Sequence, residues 1–269
     1  MVRAGSQSPD PASELRTRSS GNKSNAPSNI APVKFARPIH AILFDKDGTL
    51  VDFQRTWGPA VHSVMQGLAA GRRSIYERLA AASGFVESEQ RFLRDSLLIA
   101  HPIGVWGPLW AQVVGREADP HFLTEVNRQL CDETTSHLVP IGEPGKLMAV
   151  LASRGYRLGM ISNDAEMTVR AHARKLGIDR VLQFVAGYDS GFGSKPEPGQ
   201  ILAFAKAANV APSQVAVVGD TVLDLIAARA AGAMAIGVLT GPAPAETLLP
   251  EADAILASAE ELLTWLDKH

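Results

Sequence analysis

The sequence predicts an α/β fold: a parallel sheet wound on both faces by helices, with a helical segment inserted after the first strand. Three observations carry this expectation. From residue 139 onward, short apolar runs alternate with amphipathic stretches, the signature of repeated strand–helix units. A first apolar run, Ile39–Phe44, stands well before them and ends on Asp45. Residues 52–138 separate this run from the next strand, far more chain than the roughly 30 residues of a simple βαβ unit.

The elements follow in order. Ile39–Phe44 reads as a buried strand. In the intervening segment Val61, Val64, Met65 and Leu68 form one helical stripe, and Leu93, Leu97 and Leu98 a second. Residues 39–51 and 139–269 are therefore expected to form the core domain, and 52–138 an all-helical cap. A segment leaving from a strand's carboxyl end must lie over the crevice where such sheets bind ligands. Leu147, Val150 and Leu151 share a face of the next helix, closed by Gly155; Arg157–Ile161 is a strand. Val169, Ala173 and Leu176 mark a helix ended by Gly177, and Val181–Ala186 is a strand. Ile201, Phe204, Ala205 and Ala208 mark another helix, followed by strand Val215–Val218, a helix over 222–231 and strand Met234–Leu239. Leu262, Leu263 and Leu266 line a closing helix.

Composition narrows the function. The 269 residues hold 26 basic and 28 acidic side chains, a net charge of −2, which argues against a nucleic-acid partner. Cys131 is the single cysteine, so neither an intrachain disulfide nor a multi-cysteine zinc cage can form. No apolar run reaches the length of a membrane span. A cytoplasmic protein, monomeric or homodimeric, is the expectation. Residues 1–38 hold seven serines and six basic residues against two acidic ones; this composition predicts a disordered N-terminal extension.

Chemistry concentrates at strand ends. Asp45-Lys46-Asp47-Gly48-Thr49 follows the first strand, and at strand spacing Asp45 and Asp47 share a face while Lys46 points away from them, to the cap or solvent. Ser162-Asn163-Asp164 follows the strand at 157, where Asp164 is placed to cap the next helix. Lys195 lies between a glycine-rich turn and Pro196. Asp220 and Asp224 follow the strand at 215, four apart and able to face one pocket. All these ends converge on one crevice. Several acids gathered there require cations. A hard divalent ion with one lysine supplies them, and Mg2+ suits a site that meets phosphate.

These four motifs, in this order over residues 39–269, resemble the haloacid dehalogenase superfamily, and within it the phosphatases with a helical C1-type cap of the phosphoglycolate phosphatase kind. The resemblance implies a Rossmann-like core. It implies that Asp45 is the nucleophile and forms an aspartyl-phosphate, and that Asp47 is general acid and then base. It further implies that Ser162, Asn163 and Lys195 bind the phosphoryl group or border it. Mg2+ is then held by Asp45, the backbone carbonyl of Asp47 and Asp220, with Asp224 joining or orienting the metal shell. The implied activity is Mg-dependent hydrolysis of a small phosphorylated metabolite, phosphoglycolate-like or a sugar phosphate. A sugar-phosphate mutase of the β-phosphoglucomutase type is the alternative, and a non-catalytic binding protein on the same scaffold a further one. Relatives usually carry an apolar residue where this chain has Lys46. Asp47 argues against dehalogenation. The absence of lysine from 52–138 argues against phosphonoacetaldehyde hydrolysis, which uses a cap lysine.

The cap candidates for substrate selection are Trp57, Arg72, Arg73, Arg91, Arg94, His101, Trp106 and Trp110. The stretch His101–Trp110 is rich in turn residues and is expected to be a loop, with its tryptophans packed into the cap core. The remaining histidines show no ligand pairing and receive no function.

Overall fold

The computed structural model describes residues 38–269, so the expected N-terminal extension, but for its last residue, lies outside the described residues. Strand β1 (Ala41–Asp45) opens the fold. Helices α1 (Phe53–Ala69) and α2 (Arg73–Ala82), strands β2 (Phe85–Val86) and β3 (Arg91–Phe92), and helices α3 (Ile103–Val114) and α4 (Pro120–Ser136) follow as the insertion. Then come α5 (Pro144–Ser153), β4 (Arg157–Ile161), α6 (Glu166–Lys175), β5 (Leu182–Ala186), α7 (Gly199–Ala207), β6 (Val215–Gly219) and α8 (Val222–Ala231). Strand β7 (Met234–Val238), α9 (Ala245–Leu248), β8 (Ala254–Leu256) and α10 (Leu262–Leu266) complete the chain.

Six strands form one parallel sheet in the order β5-β4-β1-β6-β7-β8. Strand periodicity explains the double winding. Ile42 and Phe44 face one way and pack with Leu147, Leu151, Val169 and Leu262 of α5, α6 and α10. Ala41 and Leu43 face the other way and pack with Ile201, Phe204, Leu225 and Ala228 of α7 and α8. After β1 the chain adds β4 and β5 on one side, then crosses to add β6, β7 and β8 on the other. The order reverses at β1, so the crevice opens at its carboxyl end, where Asp45 sits.

The insertion has an apolar core of its own. Val61, Val64 and Met65, predicted as one stripe, are buried there with Trp57, Leu79, Phe92, Trp110 and Phe122. Asp52 starts α1 by accepting from the Arg55 amide at 3.0 Å. Asp119, ahead of Pro120, starts α4 by accepting from the Phe122 amide at 2.7 Å.

Three expectations need correction here. The insertion is not all-helical, because β2 and β3 pair as a short antiparallel hairpin. The second expected stripe is not a helix face: Leu93 and Leu97 are exposed, and Leu98 is buried from a 3-10 turn. The His101–Trp110 stretch is not a loop, since α3 begins at Ile103. Ile103, Trp106 and Trp110 fall on one helical face and are all buried, and that burial outweighs the helix-breaking glycines and Pro108. Strand β8 and helix α9 carry no separate prediction; at three and four residues they are too short for a periodic signal. No described helix is long and apolar enough to cross a membrane.

Candidate active site

The residues at the strand ends meet. Asp45 ends β1 and is buried. Lys195 reaches it from the loop after β5, and its ammonium pairs with Asp45 Oδ1 and, at 2.6 Å, with Asp224 Oδ1. Asp45, Asp220 and Asp224 each offer a carboxylate oxygen within 4.8 Å of the others. Asp45, Asp47, Ser162, Asn163, Lys195 and Asp224 line one pocket, and Asp220 stands behind them in the carboxylate cluster.

Asp220 fits only because two glycines make room. Gly48, with φ +80°, and Gly241 lie so close that a Cβ on either would collide with its carboxylate. Thr49 Oγ1 donates to Asp220 Oδ1 at 3.1 Å, and no ammonium or guanidinium faces this acid within ion-pair distance among the described residues. Asp224 differs. Its Oδ1 accepts from Lys195, and its Oδ2 accepts from the Thr221 amide at 3.0 Å and hydroxyl at 2.6 Å. Both its oxygens are committed, so its geometry holds Lys195 and the start of α8.

Electrostatics follow from this crowding. Burial pushes the Asp45 carboxyl up to about 7; Lys195 opposes the rise, while Asp224 and Asp47 add to it. Burial raises Asp220 well above the usual carboxylate range, with Asp45 and Asp224 adding to it. Burial alone would lower Lys195, but the Asp224 and Asp45 carboxylates outweigh it and raise it. Raised acids in an oxygen-lined cluster are what a divalent cation relieves, so the donor set fits one.

Ser162 presents a usable hydroxyl. Its Oγ accepts from the Asp164 amide at 3.1 Å, which leaves its own proton free to point into the pocket. Gln200 fixes this turn from below, donating to the carbonyls of Ser162 at 3.2 Å and Gly187 at 3.0 Å. Asn163 does not have the free amide expected of a phosphoryl ligand. Its Oδ1 accepts from the Lys195 amide at 2.8 Å, and its Nδ2 donates to the carbonyls of Lys195 and Ala100, both at 2.9 Å. It clamps Lys195 from the backbone side and touches the insertion.

Lys46 departs most from expectation. It is fully buried and reaches Asp47 rather than pointing away from it, and it meets the insertion at Trp57, its ammonium 5.3 Å from the ring centroid. Its ammonium lies 2.5 Å from Asp47 Oδ2 and 3.2 Å from Asp164 Oδ2. The strand ends at Asp45, and the chain turns so that the Lys46 carbonyl accepts from the Leu50 and Val51 amides; two-residue alternation no longer applies there. Asp164 consequently serves Lys46 as well as accepting from the Ala165 amide, and Ala165 rather than Asp164 stands at the N-cap of α6. Burial pushes Asp164 up to about 6, with Lys46 opposing and Asp47 adding. Beyond the ammonium lies His172, fully buried, its Nδ1 at 3.4 Å; burial and then Lys46 push it down to about 2.

Of the eight insertion candidates, Trp57, His101 and Trp106 line the pocket. Trp57 Nε1 donates to Asp47 Oδ1 at 2.9 Å. Trp110 instead donates to Ser83 inside the insertion. Arg73 pairs with Glu77 and Glu87 and Arg91 with Glu89, and neither these nor Arg72 and Arg94 line the pocket. Sequence reading passed over Thr49, Gln200, Gly241 and His172, because their roles depend on neighbours distant in the chain.

Two predictions follow from these charges. Asp220→Asn removes a carboxylate that burial already disfavours, so cation-free Asp220→Asn should melt no lower than wild type near pH 7, and a divalent cation such as Mg2+ should raise its Tm less than it raises that of wild type; thermal melts with and without the cation check both. The unfolded chain protonates His172 near 6.5, whereas the folded protein holds it neutral down to about 2. Protons therefore favour unfolding in that window, and stability should fall by up to about 1.4 kcal/mol per pH unit below the upper value. Asp164 acts in the opposite sense below about 6, so the measurement is a difference: urea unfolding of wild type and His172→Gln at two acid pH values should show the smaller loss in the variant.

Comparison with known proteins agrees with the fold and the motifs. The haloacid dehalogenase-like hydrolase family matches residues 39–232. A phosphoglycolate phosphatase of Chromobacterium violaceum is 30% identical over 226 residues, covering 83% of this chain and 95% of its own. Among solved structures, a predicted phosphoglycolate phosphatase from Haemophilus somnus superposes with a TM-score of 0.64 at 20% identity, over 84% of this chain and 97% of that one. CbbY from Rhodobacter sphaeroides, in complex with phosphate, gives a TM-score of 0.64 at 21% identity, over 85% and 99%. With the family matched across both the first and the last of the four motifs, the chain belongs to the haloacid dehalogenase-like hydrolases.

Proposed function

We propose that the protein is a Mg2+-dependent phosphatase that hydrolyses a small phosphorylated metabolite through an aspartyl-phosphate on Asp45. The observation that carries this reading is the meeting of Asp45, Asp224, Lys195 and Ser162 in one pocket, with Asp220 completing the carboxylate cluster beside them. An Asp45 oxygen attacks phosphorus as the bond to the substrate's alkoxide breaks, and Asp47 gives that alkoxide a proton. In the second step Asp47 takes a proton from water, whose oxygen attacks phosphorus and releases Asp45 and inorganic phosphate. Ser162 donates its hydroxyl proton to a phosphoryl oxygen. Lys195 binds the same group and keeps Asp45 aligned, while Asn163 acts through Lys195. Asp45, Asp220 and the Asp47 carbonyl are the proposed Mg2+ ligands, and Asp224 borders them. When bound, the cation supplies positive charge to the phosphoryl oxygens, which phosphoryl transfer needs more than covalent participation by further groups.

The test is phosphate release from a panel of phosphorylated metabolites. Wild type should release phosphate only with Mg2+, and Asp45→Asn should lose about a thousandfold or more. No release from any member would overturn the reading. Glucose 1-phosphate belongs in the panel, because recovery of glucose 6-phosphate rather than inorganic phosphate would identify a mutase.

Phosphoglycolate belongs there too, given the relatives' names. The insertion side of the pocket is largely apolar, with Phe53, Trp57, Leu98, Ile99, Ile103 and Trp106 beside the polar Asn127; among the described residues His101 is the one on that side able to carry charge. A substrate carboxylate would therefore rest on His101. His101→Ala should raise KM for phosphoglycolate about tenfold, the worth of one hydrogen bond to a charged group, and leave a neutral sugar phosphate within about twofold. Equal KM changes for both substrates would exclude that contact.

A further inference from the structure

Lys46 lies between the two proposed catalytic aspartates, yet the proposed reaction does not use it. A lysine buried completely needs acceptors for all three ammonium protons. It has three: Asp47 Oδ2 at 2.5 Å, Asp164 Oδ2 at 3.2 Å and His172 Nδ1 at 3.4 Å. The direction of the last bond can be derived. Thr134 Oγ1 donates to the Leu130 carbonyl at 2.6 Å, so toward His172 Nε2, 3.0 Å away, it can only accept. Nε2 therefore carries the ring proton, and Nδ1 is bare and accepts from Lys46. The chain of bonds runs from Asp47 through Lys46 and His172 to α4 of the insertion.

Asp47 is held at its other oxygen as well. Trp57 of α1 donates to Oδ1, and the Lys46 ammonium lies 5.3 Å from the Trp57 ring centroid. Both carboxylate oxygens are thus fixed, one by the core lysine and one by the insertion. An apolar residue at position 46 would leave Oδ2 without this donor.

We propose that Lys46 is a positioning residue that fixes the Asp47 carboxylate for proton transfer and ties that placement to the insertion through His172 and Thr134. The proposal rests on the phosphatase reading. It distinguishes itself from mere neutralisation of buried acids, because misplacing a proton donor slows release of a poor leaving group and hardly affects a good one.

The experiment compares wild type, Lys46→Met and the double variant Lys46→Met/Asp164→Asn, which removes a carboxylate that the single variant leaves unpaired. Folding is checked by circular dichroism and melting. Two substrates are used with Mg2+: p-nitrophenyl phosphate, whose leaving group needs no proton, and an alkyl phosphate drawn from the panel. In either folded variant the first equivalent of p-nitrophenolate should appear within about threefold of the wild-type rate, while turnover of the alkyl phosphate falls about a hundredfold. Thr134→Val, which keeps every charge, should leave the first equivalent of p-nitrophenolate at the wild-type rate while turnover of the alkyl phosphate falls by about threefold. Equal losses on both substrates in a folded variant would make Lys46 structural and overturn the proposal, as would no loss on either. A wild type inert on every phosphate would instead overturn the phosphatase reading, and this proposal with it.

Discussion

Five aspartate carboxylates and two ammonium groups are packed together at the carboxyl end of one sheet, and this excess of negative charge governs the rest of the architecture. Lys195 satisfies Asp45 and Asp224; Lys46 satisfies Asp47 and Asp164; among the described residues Asp220 accepts from the Thr49 hydroxyl and has no ammonium within ion-pair distance. The fold withstands this because the surrounding backbone and small groups are arranged around it. Gly48 and Gly241 admit Asp220, Thr221 holds Asp224, and the Ser162 turn is pinned by Gln200. A protein selected for stability alone has no reason to bury acids that lack a counter-charge. The negative charge left over favours a bound cation, and the oxygen donors of Asp45, Asp220 and Asp224 suit a divalent one.

The insertion does more than cover this cluster. Trp57 touches Asp47, the Ala100 carbonyl accepts from Asn163 beside Lys195, and Thr134 ends the chain of bonds that begins at Lys46. Three separate parts of the insertion thus contact groups that hold the site. The anchoring follows from its own core, which buries Trp57 and Leu130 with the aromatic side chains of α3 and α4. A movement of the insertion relative to the sheet would have to break or remake these hydrogen bonds, so the placement of the insertion and the alignment of Asp47 are energetically linked.

Much of this was legible in the chain. Strand–helix alternation follows from local periodicity, and buried strand ends bearing Asp45, Ser162 and Asp220 follow from where apolar runs stop. Convergence of those ends is a property of parallel sheets in general, so the gathering of these side chains at one end of the sheet follows from the chain alone. Errors arose where periodicity ceases or where burial overrides propensity: the turn at Lys46, the hairpin at Phe85–Val86 and Arg91–Phe92, and the helix that Trp106 and Trp110 stabilise despite Pro108.

By itself, then, the sequence determined the doubly wound core, the insertion after its first strand and the acids, serine and lysine of the crevice, because each depends on residues near one another in the chain. Only the tertiary structure decided that Lys46 turns inward to Asp47, Asp164 and His172, that Asn163 clamps Lys195, and that the insertion's arginines stay off the pocket wall. Those facts depend on which distant side chains complete the hydrogen bonds of a buried group, and one-dimensional spacing carries no record of that.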